Sequence, residues 1–194
     1  MRTGIDLIRD IDALGLAPGA LAFWWLGQLS YVVKVGGLIL YFDPFLTPSA
    51  RRRVAPLLRP EQIRHADYVF GSHDHGDHID PLAWAGIAAA SPQAQFVCSH
   101  VAGRHVADLG IAMSRIICLD AEERYQTRDL RVTPIAAAHE FFDQDAQLGF
   151  PYLGFVVQVG DVTLYFSGDT LSYDGLAARL SAWDIDVAFV PING

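Results

Sequence analysis

Six residues concentrate the chemistry of this chain: His73-Asp74-His75-Gly76-Asp77-His78, three histidines and two aspartates in one run. Imidazole and carboxylate are the ligand types that divalent zinc, manganese and iron accept. A bend in the run can aim His73 and His75 to one side and Asp77 and His78 to another. That arrangement would seed two adjacent metal positions from a single loop. A surface loop that is merely polar and histidine-rich is the bland alternative, but an apolar strand and a capped helix flank this run tightly.

The flanks are what must position the cluster. Asp67-Tyr68-Val69-Phe70-Gly71-Ser72 reads as a buried strand that delivers His73 at its C-terminal end. Asp80-Pro81 is a strong helix start, with Asp as N-cap and Pro at the first helical position, ahead of a helix over 82–90. Upstream, apolar residues at helical spacing predict a helix over 5–14. Strands over 23–26, 31–35 and 38–42 follow, the last two joined as a hairpin by Gly36-Gly37. A short helix is expected over 60–65. Downstream come a strand over 95–99, a helix over 101–109 and strands over 115–119, 130–137, 153–159 and 162–166. A short helix over 176–180 and a strand over 187–191 complete the pattern. Strands with interspersed helices and no linker indicate one domain over residues 1–194, of mixed α/β class in packed layers.

The string His73-x-His75-x-Asp77-His78 resembles the HxHxDH signature of the metallo-β-lactamase superfamily. The resemblance implies an αββα sandwich and a two-cation site. It places His73 and His75 on metal one, together with a later lone histidine that matches His139, after the strand ending at Ala138. It places Asp77 and His78 on metal two. Asp169, in Ser167-Gly168-Asp169-Thr170, matches the aspartate that bridges both cations. Trp25-Leu26-Gly27-Gln28, Asp43-Pro44, Leu164-Tyr165-Phe166-Ser167-Gly168-Asp169 and Ile185-Asp186-Val187-Ala188 are similar to the ascorbate-6-phosphate lactonase-like branch. The implied function is a metal-dependent hydrolase using two zinc or manganese ions, acting on a small, phosphorylated sugar lactone. Asp77, His78 and Asp169 are the residues expected to act in the reaction, Asp77 also as a proton shuttle to the leaving group. Cations of this kind bring water toward a neutral pKa and so yield hydroxide at pH 7.

Two departures from neighbouring branches narrow the class. His75 stands where the oxygen-reducing di-iron branch carries glutamate, and Asp169 stands where many true β-lactamases carry cysteine. A third departure is at the end of the chain. The family pattern supplies a last metal-two histidine beyond the position of Asn193-Gly194, so the site is expected to be one ligand short within these 194 residues. A phosphodiesterase of the phospholipase D type and a non-catalytic metal-binding protein remain as alternatives.

Bulk properties bound the partners. The formal charge of −8 and the 52% hydrophobic content favour a buried globular domain and disfavour nucleic acid, whose phosphates need a basic footprint. No N-terminal apolar run marks a signal peptide or a membrane span, and Cys98 and Cys118 form no CxxC pair. A cytoplasmic enzyme with reduced thiols and a small-molecule substrate is expected, with a homo-oligomer left open by the resemblance. Arg51-Arg52-Arg53, with Arg59 and Arg64, runs against the net charge. It reads either as a solvated helical face or as an anion-attracting rim near a phosphorylated substrate. The aromatic and polar stretch 140–152 is the candidate substrate loop. His100 is read as a helix-start residue or as one lining the pocket, and Asp43 as a hydrogen-bond acceptor behind a ligand histidine or as a turn residue.

Overall fold

The computed structural model describes residues 2–192. Helix α1 (Gly4–Ala13) buries Leu7, Ile8 and Ile11, one face at helical spacing, while Ile5 and Leu14 of the expected apolar set stay exposed. Strands β1 (Leu21–Gly27), β2 (Ser30–Val35) and β3 (Leu38–Phe42) form an antiparallel meander, with Gly36 and Gly37 making the turn between the last two. Strands β4 (Tyr68–Phe70), β5 (Gln95–Ser99) and β6 (Ile116–Leu119) extend it in parallel, each parallel step crossing through a helix or loop. The crossovers are α2 (Pro81–Ala90) and α3 (His100–Asp108). The resulting six-stranded sheet has the order β1-β2-β3-β4-β5-β6.

The second sheet has five strands. Strand β7 (Tyr125–Gln126), β8 (Arg131–Ala136), β9 (Leu153–Val159) and β10 (Val162–Phe166) pair antiparallel. After α4 (Leu176–Leu180), strand β11 (Val187–Phe189) joins β10 in parallel.

Burial separates the chain into four layers. Leu7, Ile11, Trp84, Ile87, Ala102 and Val106 of the helices pack on one face of the first sheet, against Tyr41, Val69 and Phe96. Phe42, Phe70 and Val97, from alternate positions of the same strands, face Phe155, Val157 and Phe166 of the second sheet. This is the period of two expected when both faces of a sheet are covered. Phe42 stacks between Phe70 and Phe166 at 4.6 and 4.9 Å, so one aromatic column pins the sheets together. Ile135, Val156 and Tyr165 on the far face take Leu176 and Leu180 of α4 and Trp183. The order is helix, sheet, sheet, helix, which is the αββα sandwich. Each fully buried large apolar side chain stabilises this by about 1.5–3 kcal/mol.

Three local expectations change. Residues 60–65 make only one 3-10 turn, Pro60–Gln62, because the ring of Pro60 is buried under Gly86 of α2 and the chain straightens at once into β4. Tyr125–Gln126 is a strand too short to leave a periodic signal. Arg51, Arg52 and Arg53 lie on no helix at all, but in an irregular segment, residues 43–59, punctuated by Pro44, Pro48 and Pro56.

Candidate metal centre

The histidine-rich run leaves the C-terminal end of β4 in the cleft between the sheets. Gly71 is where it turns: a Cβ there would meet Trp84 and Ile79 of the following helical region at 2.6–2.8 Å. Asp80 then starts α2 as read from sequence, its Oδ1 accepting from Leu82 N at 3.0 Å with Pro81 at the first helical position. The same buried carboxylate also accepts from Leu46 N, Thr47 N and Thr47 Oγ1 at 2.6–2.8 Å. Thus the helix start and the irregular segment 43–59 are fixed to one another.

From the opposite sheet, β10 is followed directly by Ser167-Gly168-Asp169. Gly168 has φ +58°, and a Cβ on it would meet Ser72 Cβ at 2.6 Å and Leu153 O at 2.9 Å. Only glycine lets this turn press against the residue preceding His73. Leu153 N donates to Ser72 O at 2.9 Å, a second tie between the sheets at the same level. His139, just past β8, is placed by Leu171 N donating to Ala138 O at 2.7 Å and Ala138 N donating to Thr170 Oγ1 at 3.0 Å.

Two donor sets result, each with its ligand atoms within 4.8 Å of one another: His73, His75 and His139, and His73, His78 and Asp169. His73 faces Ser72 Oγ with Nδ1 at 2.9 Å, which leaves Nε2 as its one ligand atom. That Nε2 faces His75 Nδ1 at 2.9 Å, so His73 belongs with His75 and His139. The His139 ring is backed by Tyr152, stacked at 5.0 Å and 27°. His78 is held from behind by Asp43, whose Oδ2 is 2.6 Å from its Nδ1. Asp43 sits at φ +42° and also accepts from Ser72 N and Ser72 Oγ at 2.7 and 2.6 Å. The acceptor role expected of Asp43 is therefore the one the fold builds, at the cost of a left-handed backbone that aspartate tolerates better than most residues. Asp169 Oδ2 lies 3.3 Å from His78 Nε2 and 3.8 Å from His139 Nε2, so this member of the second set also borders the first.

Asp77 stands apart. Its Oδ1 is 3.9 Å from His78 Nε2, while its Oδ2 accepts from Gln28 Nε2 at 2.5 Å. Gln28, at φ +50°, is a contact that sequence reasoning did not assign; the only signal was its place in the Trp25-Leu26-Gly27-Gln28 segment. Among the described residues no further histidine joins the site. His65 is paired with Asp12 and Tyr41, His100 opens α3 and faces Glu123, and His105 faces Asp74. The Asn193-Gly194 end of the chain, where the pattern expected a ligand to follow, lies outside the described residues.

The electrostatics suit cations. Burial, with His78 and His75 close by, pushes His73 down to about 2, so its imidazole is neutral and its lone pair available. Burial opposes charge on His78 as well, yet Asp43 and Asp169 lift it to about 10. His78 holds the Asp169 carboxylate below its usual range. The decisive atom is His78 Nε2, buried with Asp169 Oδ2 at 3.3 Å but without a well-aligned hydrogen bond. A buried nitrogen left unsatisfied costs about 1–3 kcal/mol, and a divalent cation beside Asp169 would satisfy it. The donor atoms therefore fit divalent metal of the kind that nitrogen and carboxylate ligands hold.

Fold and site together define a class, and comparison with known proteins gives it a family. The beta-lactamase superfamily domain matches residues 39–194. A UPF0173 metal-dependent hydrolase of Carboxydothermus hydrogenoformans is 32% identical over 175 residues, 88% of this chain and 71% of the relative. The chain belongs to the metallo-β-lactamase superfamily, among the UPF0173 proteins. In structure it resembles Igni18, a metallo hydrolase from Ignicoccus hospitalis, with TM-score 0.64 and 19% identity over 87% of this chain and 70% of that one. It also resembles an isothiocyanate hydrolase from Delia radicum gut bacteria, with TM-score 0.63 and 22% identity over 82% and 67% of the two chains. At those identities the likeness is one of fold. Among the described residues no helix is long and apolar enough to cross a membrane.

Proposed function

We propose that the chain is a metal-dependent hydrolase of small cyclic or linear esters, with a phosphorylated sugar lactone of the ascorbate-6-phosphate lactonase type as its leading substrate. One observation carries the reading: His78 Nε2, buried and unsatisfied, faces Asp169 beside a second set of three histidines. The metal-dependent hydrolase names of its relatives support it. His73, His75 and His139 would hold one cation. His78 and Asp169 would hold the other, with Asp77 at its edge. A bound pair of such ions supplies Lewis-acid polarisation of a carbonyl or phosphoryl oxygen and lowers the pKa of water.

The chain's own residues do the rest. Asp43 fixes the tautomer of His78 by accepting its Nδ1–H, which presents Nε2 to the site. Tyr152 stacks on the His139 ring and fixes its orientation. Asp77, half-buried and turned toward the open side, is the group placed to carry a proton to the leaving oxygen, and Gln28 holds its second oxygen still. Arg51, Arg52 and Arg53 line the cavity that Asp77 also lines, which supports the rim reading of the basic cluster. Arg59 and Arg64 border a different cavity beside His65 and leave that cluster. The test is turnover by the metal-loaded chain of a phosphorylated sugar lactone against a p-nitrophenyl phosphodiester. Lactone hydrolysis that disappears in His73→Ala bears the proposal out. Turnover of the phosphodiester alone would replace it with a phosphodiesterase, and no turnover of either with a metal-binding role.

A further inference from the structure

Beside the donor sets lies a cavity of about 790 Å³, within the size range of small-molecule sites, whose walls differ in character from the metal centre. Its lining includes Gly76 and Asp77, which connect it to the histidine run, together with Arg51, Arg52, Arg53, Trp25, Phe45 and Val54. Arg52 is already held in place. Its Nη1 donates to Phe45 O at 3.1 Å and its Nε to Val54 O at 3.2 Å, and its guanidinium lies 4.7 Å over the Phe45 ring. Two of its nitrogens are therefore occupied by carbonyls, and Nη2 faces the cavity side near Gly27. Among the described residues none of the three arginines has a carboxylate partner, on a chain of net charge −8. Trp25 is 60% exposed, yet its Nε1 donates to Gln28 O at 2.6 Å, so a large flat ring is held rigid on the cavity wall.

We infer that this cavity is the specificity site for the part of the substrate that does not react, and that it takes a body with an apolar or flat face ending in an anion. The inference rests on the hydrolase reading for its role, but not for its ligand. The reacting group would lie at the Asp77 end, the body against Trp25 and Phe45, and a carboxylate, sulfonate or phosphate at Arg52. A guanidinium fixed by two carbonyls loses little freedom on receiving an anion, and the neighbouring arginines raise the local potential. Aromatic faces at the wall accept both aromatic rings and the apolar face of a sugar. Arg52 braces segment 43–59, but a fixed, exposed tryptophan and three arginines without a carboxylate partner among the described residues, on one concave surface, exceed what that bracing needs.

The experiment is a binding titration of the full chain with benzenesulfonate, an aromatic anion and a poor metal ligand, against neutral benzyl alcohol. Calorimetry or tryptophan fluorescence reads it without turnover. Expected are saturable benzenesulfonate binding, at least tenfold tighter than benzyl alcohol, and weakening with salt. Arg52→Gln is expected to weaken it about tenfold, and Trp25→Ala several-fold, whereas Arg64→Gln, outside the cavity, leaves it unchanged. If Arg52→Gln proves unstable in thermal unfolding, the Arg51→Gln/Arg53→Gln pair reads the same site with a smaller loss. Binding that persists in His73→Ala places the anion away from the donor sets, as inferred. Absence of saturable binding, equal binding by Arg52→Gln and wild type, or loss only in His73→Ala overturns the inference. Binding without hydrolysis of any ester would leave the cavity assignment standing and remove the hydrolase reading.

Discussion

Asp43 Oδ2 lies 2.6 Å from His78 Nδ1, and both side chains are 1% exposed, so a carboxylate at the end of a hairpin orients an imidazole thirty-five residues later. The pair sets which nitrogen of His78 faces Asp169. Asp43→Asn keeps the shape and tolerates the positive φ, but removes the charge. We expect it to weaken metal binding at the His78 and Asp169 end by about 10–100-fold. The His73, His75 and His139 set should keep its affinity. Chelator competition that resolves two classes of site checks this, and equal loss at both would show Asp43 to be a general scaffold residue.

Metal loading should be linked to protons. In the metal-free chain His78 sits at about 10, well above its ordinary value, so near neutrality it carries two ring protons. A cation must displace the one on Nε2. Affinity at that end is therefore expected to rise by about tenfold per pH unit between pH 6 and 8.5, with one proton released. Calorimetry in two buffers of different ionisation enthalpy measures it. The stability sign is the reverse. A raised folded pKa stabilises the metal-free fold fully below the unfolded value near 6.5, and that contribution is lost as pH climbs through about 10.

Gly168→Ala tests the junction of the sheets without touching a ligand. At φ +58° an alanine costs about 1–2 kcal/mol in backbone strain. Contacts at 2.6 Å to Ser72 and 2.9 Å to Leu153 O add to it. A fall in melting temperature of about 2–4 °C per kcal/mol is expected, with metal affinity reduced because Asp169 moves with the turn. An unchanged melting temperature would mean that the turn can relax away from β4.

Asp77 should behave unlike its neighbours. Because it stands outside both donor sets and is hydrogen-bonded to Gln28, Asp77→Asn is expected to retain metal near the wild-type level while lowering kcat. General acid catalysis typically contributes about 10²–10⁴-fold, which sets the scale of the loss. Metal loss as large as that of His73→Ala would instead make Asp77 an essential ligand.

The legible part of this site was the part compressed in sequence. His73, His75 and His78 follow a buried strand and precede a capped helix, so their meeting needed only local geometry. Asp80 was readable as an N-cap, but not as the clamp on Leu46 and Thr47, because that contact spans more than thirty residues. His139 and Asp169 are single residues just past strands of the second sheet, and resemblance rather than any periodicity placed them beside the run. Asp77 and His78, read as one side of the loop, lie with Asp77 Oδ1 3.9 Å from His78 Nε2, while the second oxygen of Asp77 is taken by Gln28, a contact that no local pattern announced. The arginines were misread as a candidate helical face because charge runs carry no period, and three prolines keep that segment irregular. Strand boundaries fared best where glycine punctuated them, as at Gly36-Gly37 and Gly160.

The central claim is that the two donor sets hold divalent metal. Elemental analysis of the chain after metal loading and gel filtration tests it most directly, with His73→Ala, His78→Ala and Asp169→Ala alongside. Expected are metal on both donor sets of the wild-type chain and a clear deficit in each variant, with the fold retained by circular dichroism. Wild-type protein that elutes without metal, or variants that carry as much as wild type, would contradict it.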